Sequence, residues 1–176
     1  MLKELFNLSN EDISKESLLK ILKKYSKTIS IQDQMIASHL LRQENIFVQD
    51  EYRDDFLEVY IKYPLLKLKE IKENKNNYSS KINKDKFLES LNLLKVQLNE
   101  EDIKSRADKV YLIHMLISLY STFILDEPIH PVGTVFPAHL TVTKEDNTYY
   151  CPVKKNNEDN PKAVCKFCIA EQTPDV

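Results

Sequence analysis

The side chains best suited to chemistry in this sequence are its three cysteines, Cys151, Cys165 and Cys168, all near the C-terminal end. Cys165-Lys166-Phe167-Cys168 sets two thiols three positions apart, so on a helical turn or in a tight knuckle both face the same way. Cys151 follows Tyr149-Tyr150 and precedes Pro152. Thiolates in such a pattern bind zinc or an iron–sulfur cluster, and the spacing does not separate the two. A tetrahedral site needs a fourth ligand, for which His130, His139 or a carboxylate are available. His130 is the first choice, because His130-Pro131-Val132-Gly133 is a stiff approach ending in a residue free to turn tightly. His139, beside an expected strand, is the second. Two blander readings compete. The cysteines would be small core residues, or Cys165 and Cys168 would be a redox dithiol. The dithiol reading lacks the strand–helix context and the positive helix end that lower a thiol pKa.

Other constellations carry less. His130 with Asp126 and Glu127 would serve as an acid/base group, against the plainer reading of a solvated helix end. His114 lies in an apolar helix, where a hydrogen-bonded core histidine is the ordinary case. Glu51, Asp54, Asp55 and Glu58 share a helix face but lack the Glu-x-x-His elements of a di-iron bundle. Lys154, Lys155, Lys162 and Lys166, with Tyr149, Tyr150 and Phe167, sketch a single-strand RNA grip, which Glu145, Asp146, Glu158 and Asp159 dilute.

Composition excludes several classes. Gly133 is the only glycine in 176 residues, so no Gly-rich phosphate loop or dinucleotide fingerprint is present. A formal charge of −2 gives no general pull toward nucleic acid or anionic lipid. Met1 to Phe6 lacks the features of a secretory signal, and Val110 to Leu125 is too short to span a membrane. The reading is a cytoplasmic protein, in which cysteines are free thiols or metal ligands rather than a disulfide frame.

The elements that must position these residues are mostly α. The pattern predicts a bundle of about five helices over residues 1–127, and a Cys-containing module over 128–176 packed on it. Asn10 is expected to cap a helix to Lys27, with Lys15, Lys20, Lys23, Lys24 and Lys27 on a solvated face. Ser30-Ile31-Gln32-Asp33 reads as a capping box for a helix to about Val48 that buries Ile36, Leu40, Leu41 and Phe47. A pattern from Asp50 to Asn74 breaks or kinks at Tyr63-Pro64, and 74–81 is a loop. Asn83 caps a helix to Leu98, with Phe87, Leu88, Leu91, Leu94 and Leu98 as its buried stripe. Asn99 to Asp102 opens the last long helix, apolar nearly all round and therefore central, through Leu125. Prolines then end helical grammar. Strands at Leu140–Thr143 and Thr148–Tyr150 flank a turn at 144–147, and Asn160-Pro161 starts a short helix over Ala163–Glu171. The module is thus a β-hairpin plus a short helix carrying the cysteines.

The tail segments His130-Pro131-Val132-Gly133-Thr134, Tyr150-Cys151-Pro152-Val153 and Asn160-Pro161-Lys162-Ala163-Val164-Cys165-Lys166-Phe167-Cys168 resemble an uncharacterised family of methanogenic archaea that carries a domain-of-unknown-function label. The resemblance extends over most of the chain, and the tail is its specific part. It implies an archaeal, anaerobic, cytosolic setting and supplies no activity or catalytic residues. An anaerobic setting favours iron–sulfur over zinc. The expected role is an accessory or interaction protein with a protein partner and a bound metal. The alternatives are a metalloenzyme with an open coordination position, or a zinc-knuckle RNA-binding module.

Overall fold

The computed structural model describes residues 1–9, 13–97, 107–161 and 163–174. These are mostly helical, with small sheets toward the C-terminus. Helices α1 (Leu2–Leu8), α2 (Lys15–Lys27), α3 (Ile31–Glu44), α4 (Arg53–Leu57), α5 (Tyr63–Glu73), α6 (Lys84–Gln97) and α7 (Ala107–Tyr120) precede the strands. Apolar α7 is the central element, with α2, α3 and α5 packed against it and α1 bridging α2 and α6. Ile113, Met115, Leu116, Ile117, Leu119 and Tyr120 are buried along it. The Tyr120 hydroxyl avoids being stranded by donating to Glu70 (3.0 Å) and accepting from Asn74 Nδ2 (2.6 Å).

The caps follow the expected chemistry where they are described. Ser30 and Asp33 form the reciprocal capping box, the serine oxygen accepting from Asp33 N–H and the Asp33 carboxylate from Ser30 N–H. Asn83 Oδ1 accepts from Lys86 N–H at 3.0 Å and so caps α6. Helix α2 starts later than predicted, at Lys15 with Ser14 as its cap. Asn10 lies outside the described residues, as do Leu98 and the Asn99–Asp102 cap.

Three packing expectations are corrected. Lys15 is not on a solvated face. It is 8% exposed, donates to the Ile124 carbonyl at 3.0 Å and pairs with Asp126. Its charge sits where α7 ends, at the negative pole of the helix. Helix α3 does not bury Ile36, Leu40, Leu41 and Phe47. Only Ala37 is buried along it, and Phe47 is 90% exposed beyond its end. Within α6, Leu88 is half-buried, while Phe87, Leu91 and Leu94 form the expected stripe.

Pro64 leaves its mark as a π turn. Having no N–H, it cannot continue the α ladder, and the preceding Glu58–Lys62 is wound as π-helix, with Tyr63 N–H reaching the Glu58 carbonyl. Helix α7 also ends in a π turn, Ser121–Leu125, closed by Asp126 in the left-handed region (φ 54°).

Beyond Asp126 the chain forms strands β1 (Val135–Phe136), β2 (Leu140–Thr141), β3 (Thr143–Glu145), β4 (Thr148–Cys151) and β5 (Glu171–Gln172), with a helical turn α8 (Lys154–Asn157) between the last two. The predicted first strand is divided in two. Its start, β2, pairs back with β1, and its end, β3, pairs with β4 across a turn at Asp146 (φ 50°). The predicted helix over Ala163–Glu171 is absent. Those positions are turns followed by β5, which lies parallel to β4 with Cys151 opposite Gln172. Val164 and Phe167 sit in the main helical core instead of lining a helix face. Val142, Cys151 and Ala170 make a second, small core.

Gly133 has φ 88°, and nothing stands within 4 Å of where a Cβ would project. Gly133→Ala should therefore cost only the backbone term, about 1 kcal/mol, read as a lower urea midpoint with an unchanged slope.

Candidate metal centre and the adjoining cavity

The parallel pairing of β4 and β5 is what gathers the thiols. It sets Cys151, at the end of β4, beside the turn that precedes β5, and that turn is Cys165–Cys168. Cys168 N–H donates to the Cys165 carbonyl at 3.2 Å, and Phe167 N–H to Val164 at 3.3 Å, so the two cysteines occupy a tight turn. Thr173 N–H reaches the Cys151 carbonyl at 3.2 Å. The Gln172 side chain clasps the segment after Cys151, accepting from Lys155 N–H (2.8 Å) and donating to the Pro152 carbonyl (3.1 Å). Lys154 Nζ spans the gap, donating to the carbonyls of Cys168 (3.0 Å) and Ala170.

Electrostatics report the same proximity. Burial pushes the Cys165 thiol up to about 11, helped by Cys168 and then Cys151, while Lys154 pulls the other way. Burial also raises Cys151, while the backbone N–H groups of Val153 and Lys154 pull it the other way. Among the described residues no three His, Cys, Asp or Glu side chains stand as a ready-made ligand group; none of the three cysteines is in a disulfide.

The two histidine candidates stand elsewhere. His139, at φ 56° in the β1–β2 turn, has its ring 5.7 Å from Tyr52. His130 lies edge-on to Phe136 at 5.5 Å and to Tyr60 at 6.1 Å. The titratable group that acts on it is His114, and both line a cavity of about 110 Å³. Tyr60 is the group that the two places share. Burial raises its phenol, and next in effect are Cys165 and Cys151. The predicted grouping of His130 with Asp126 and Glu127 does not form: Asp126 pairs with Lys15 and Glu127 with Lys67 at 3.1 Å. The lysine patch is changed too. Lys154 spends its amine on carbonyls, and Lys162 lies outside the described residues.

Sequence reasoning missed the cavity. Its walls come from α3 (Ala37, Ser38, Leu41), the π turn, the start of α5, the α7 face with Ile113, His114 and Ile117, and from Ile129 and His130. The one legible trace was the polar His114 in an apolar helix, and it has no hydrogen-bonded partner of the kind expected of a core histidine. Burial lowers the pKa of both rings. His130 falls from an ordinary value near 6.5 to about 4, with His114 adding to the effect. The unfolded chain therefore binds the His130 proton first as pH falls. The stability gained by keeping the ring neutral is intact above about pH 6.5 and drains away toward pH 4, by about 3 kcal/mol. Urea unfolding at stepped pH should show this loss, and His130→Gln should flatten it.

The chain matches relatives along nearly its whole length. It is 34% identical over 160 residues to a UPF0305 protein of Methanothermobacter thermautotrophicus, covering 90% of this chain and 96% of the relative. A second UPF0305 protein of that organism is 32% identical, with 90% and 96% covered. The UPF0305 protein of Methanocaldococcus jannaschii is 26% identical, with 88% and 93% covered. No solved structure matches. Residues 14–173 match the family described as "Uncharacterized protein conserved in archaea (DUF2115)", and with these methanogen relatives the chain belongs to that family.

Proposed function

We propose that Cys151, Cys165 and Cys168 bind a thiophilic metal, a zinc ion or an iron–sulfur cluster, in a cytosolic accessory or interaction protein that presents this centre to a protein partner. What supports the reading is that the fold brings the three thiols near enough for Cys168 and Cys151 both to act on Cys165. They arrive from the end of β4 and from the turn before β5, and Cys151 and Cys168 both pack into the small core with Val142 and Ala170. Protonated thiols need not stand at ligand distances. Metal displaces the protons and draws the sulfurs together, so binding and local folding are coupled. Sulfur-rich ligation suits both metals.

The fourth position is the open part of this reading. His130 was the first choice from the sequence, but its neighbours are Tyr60, Phe136 and His114. No cysteine is among the groups that act on its ring. We therefore assign the fourth position to a ligand from solvent or a partner. His130→Ala should then keep its metal, and loss of metal from that variant would return His130 to the site.

The test is an anaerobic purification with an absorption spectrum and elemental analysis of one sample. Brown protein with iron and sulfide identifies a cluster. Colourless protein with about one zinc per chain identifies a zinc centre. Protein free of both, and unable to take up either on reconstitution, overturns the proposal and leaves the cysteines as core residues.

A further inference from the structure

The cavity between α3, the Glu58–Lys62 π turn and α7 holds two imidazoles that the thiol centre does not use. Its walls are otherwise mostly apolar, with Ala37, Val59, Ile113, Ile117 and Ile129 among them beside Ser38, Tyr60 and Tyr63. Neither His114 nor His130 has a hydrogen-bond partner among the described residues. Both are half-buried and line this cavity, and His114 also borders a more open groove with Leu40, Leu41 and Phe47. Two imidazoles lining one largely apolar space offer an occupant hydrogen-bonding groups that the protein itself leaves unused.

We propose that this cavity binds a small uncharged aromatic molecule with one hydrogen-bonding head, held between His114 and His130. Size comes first. About 110 Å³ is close to the engineered apolar cavity of about 150 Å³ that takes up benzene, so the occupant is a single ring. Shape comes next. Tyr60, Tyr63, His114 and His130 present ring surfaces to the space, and a flat partner can stack on them or meet them edge-on. The head follows from donor counting. A neutral imidazole has one donor and one acceptor nitrogen. A hydroxyl or ring N–H between two of them can donate to one and accept from the other. A charged head would lose its hydration against apolar walls with no opposite charge to offset the loss. Ala37, the one buried residue of α3, forms part of the wall, so its side chain sets how much space an occupant has.

This inference does not rest on the metal reading, and its test keeps the two apart. Phenol and benzene are titrated into the full chain, followed by calorimetry and by the ring ¹H–¹⁵N signals of His114 and His130. Phenol is expected to bind, move both ring signals and outcompete benzene by about tenfold, the worth of one good hydrogen bond. Ala37→Leu, which fills the space from the α3 side, should abolish both. His114→Leu should keep benzene and lose the preference for phenol. Cys165→Ser/Cys168→Ser should leave phenol binding as it was, whatever it does to metal. The proposal is overturned if neither compound moves either ring by about 10 mM, far above the affinity that seven well-packed atoms can supply. That result would mean the cavity holds only water. Equal binding of phenol and benzene, or phenol binding that survives Ala37→Leu, overturns it as well.

Discussion

Serine at both Cys165 and Cys168 should strip the protein of metal. Anaerobically purified double variant is expected to carry less than about a tenth of the wild-type zinc or iron, because even an outer-shell change costs ten- to a hundredfold in metal affinity and this one removes two direct ligands. Serine is nearly isosteric with cysteine, and both positions are only half-buried. The helical core should therefore survive, with an unchanged far-ultraviolet circular dichroism spectrum. That pairing separates the proposal from its plain rival. If the cysteines are only packing groups, the wild type and the variant will hold equally little metal and differ slightly in stability. Cys151→Ser is a harsher change, since Cys151 is buried with Val142 and Ala170. It should lower stability by more than either single serine in the turn.

Phe167→Ala should be the most destabilising single substitution in the tail, at about 3 kcal/mol. Phe167 is 9% exposed. Its ring lies nearly parallel to Phe123 at 6.2 Å, and Phe123 meets Phe87 edge-on at 5.3 Å. These three rings run from the cysteine turn through the end of α7 into α6. For a chain of this size the loss corresponds to a fall in Tm of roughly 6–12 °C. Phe167→Leu keeps most of the apolar volume and should cost about 1 kcal/mol. Because Phe167 stands between Cys165 and Cys168, the alanine variant should also bind metal more weakly while both thiols remain. A Phe167→Ala protein with wild-type stability would mean that the tail is not seated on the helical core by this ring.

The sequence carried the helical part well, for reasons visible at single residues. Ser30 and Asp33 satisfy each other across three positions, and Asn83 reaches the Lys86 N–H. Caps of this kind are local and need no knowledge of the rest of the chain. The uninterrupted apolar run of α7 likewise announces a central helix, since no other place in a bundle buries every face. Pro64 announced an irregularity, although its form, a π turn, depends on what packs around it.

Burial went astray where it was set by neighbours. Lys15 looked like one lysine among five on a wet face, and the end of α7 drew it inward. Phe47 looked like a core residue, but the chain leaves the bundle before reaching it. The tail was misread for the same reason. Asn160-Pro161 is a sound local helix start, yet Phe167 and Val164 gain more by entering the main core than a short isolated helix would gain in hydrogen bonds. Residues 171–172 then complete a sheet with β4.

By itself, the sequence determined the helical scaffold, the clustering of its sulfur chemistry in the tail and the family to which the chain belongs, because caps, periodicity and spacing are written in consecutive residues. Only the tertiary structure decided that Cys151 meets the Cys165–Cys168 turn through a parallel β4–β5 pair, and that His114 and His130 line one cavity. Both join residues in different elements of the chain, and are fixed by which apolar surfaces bury one another best.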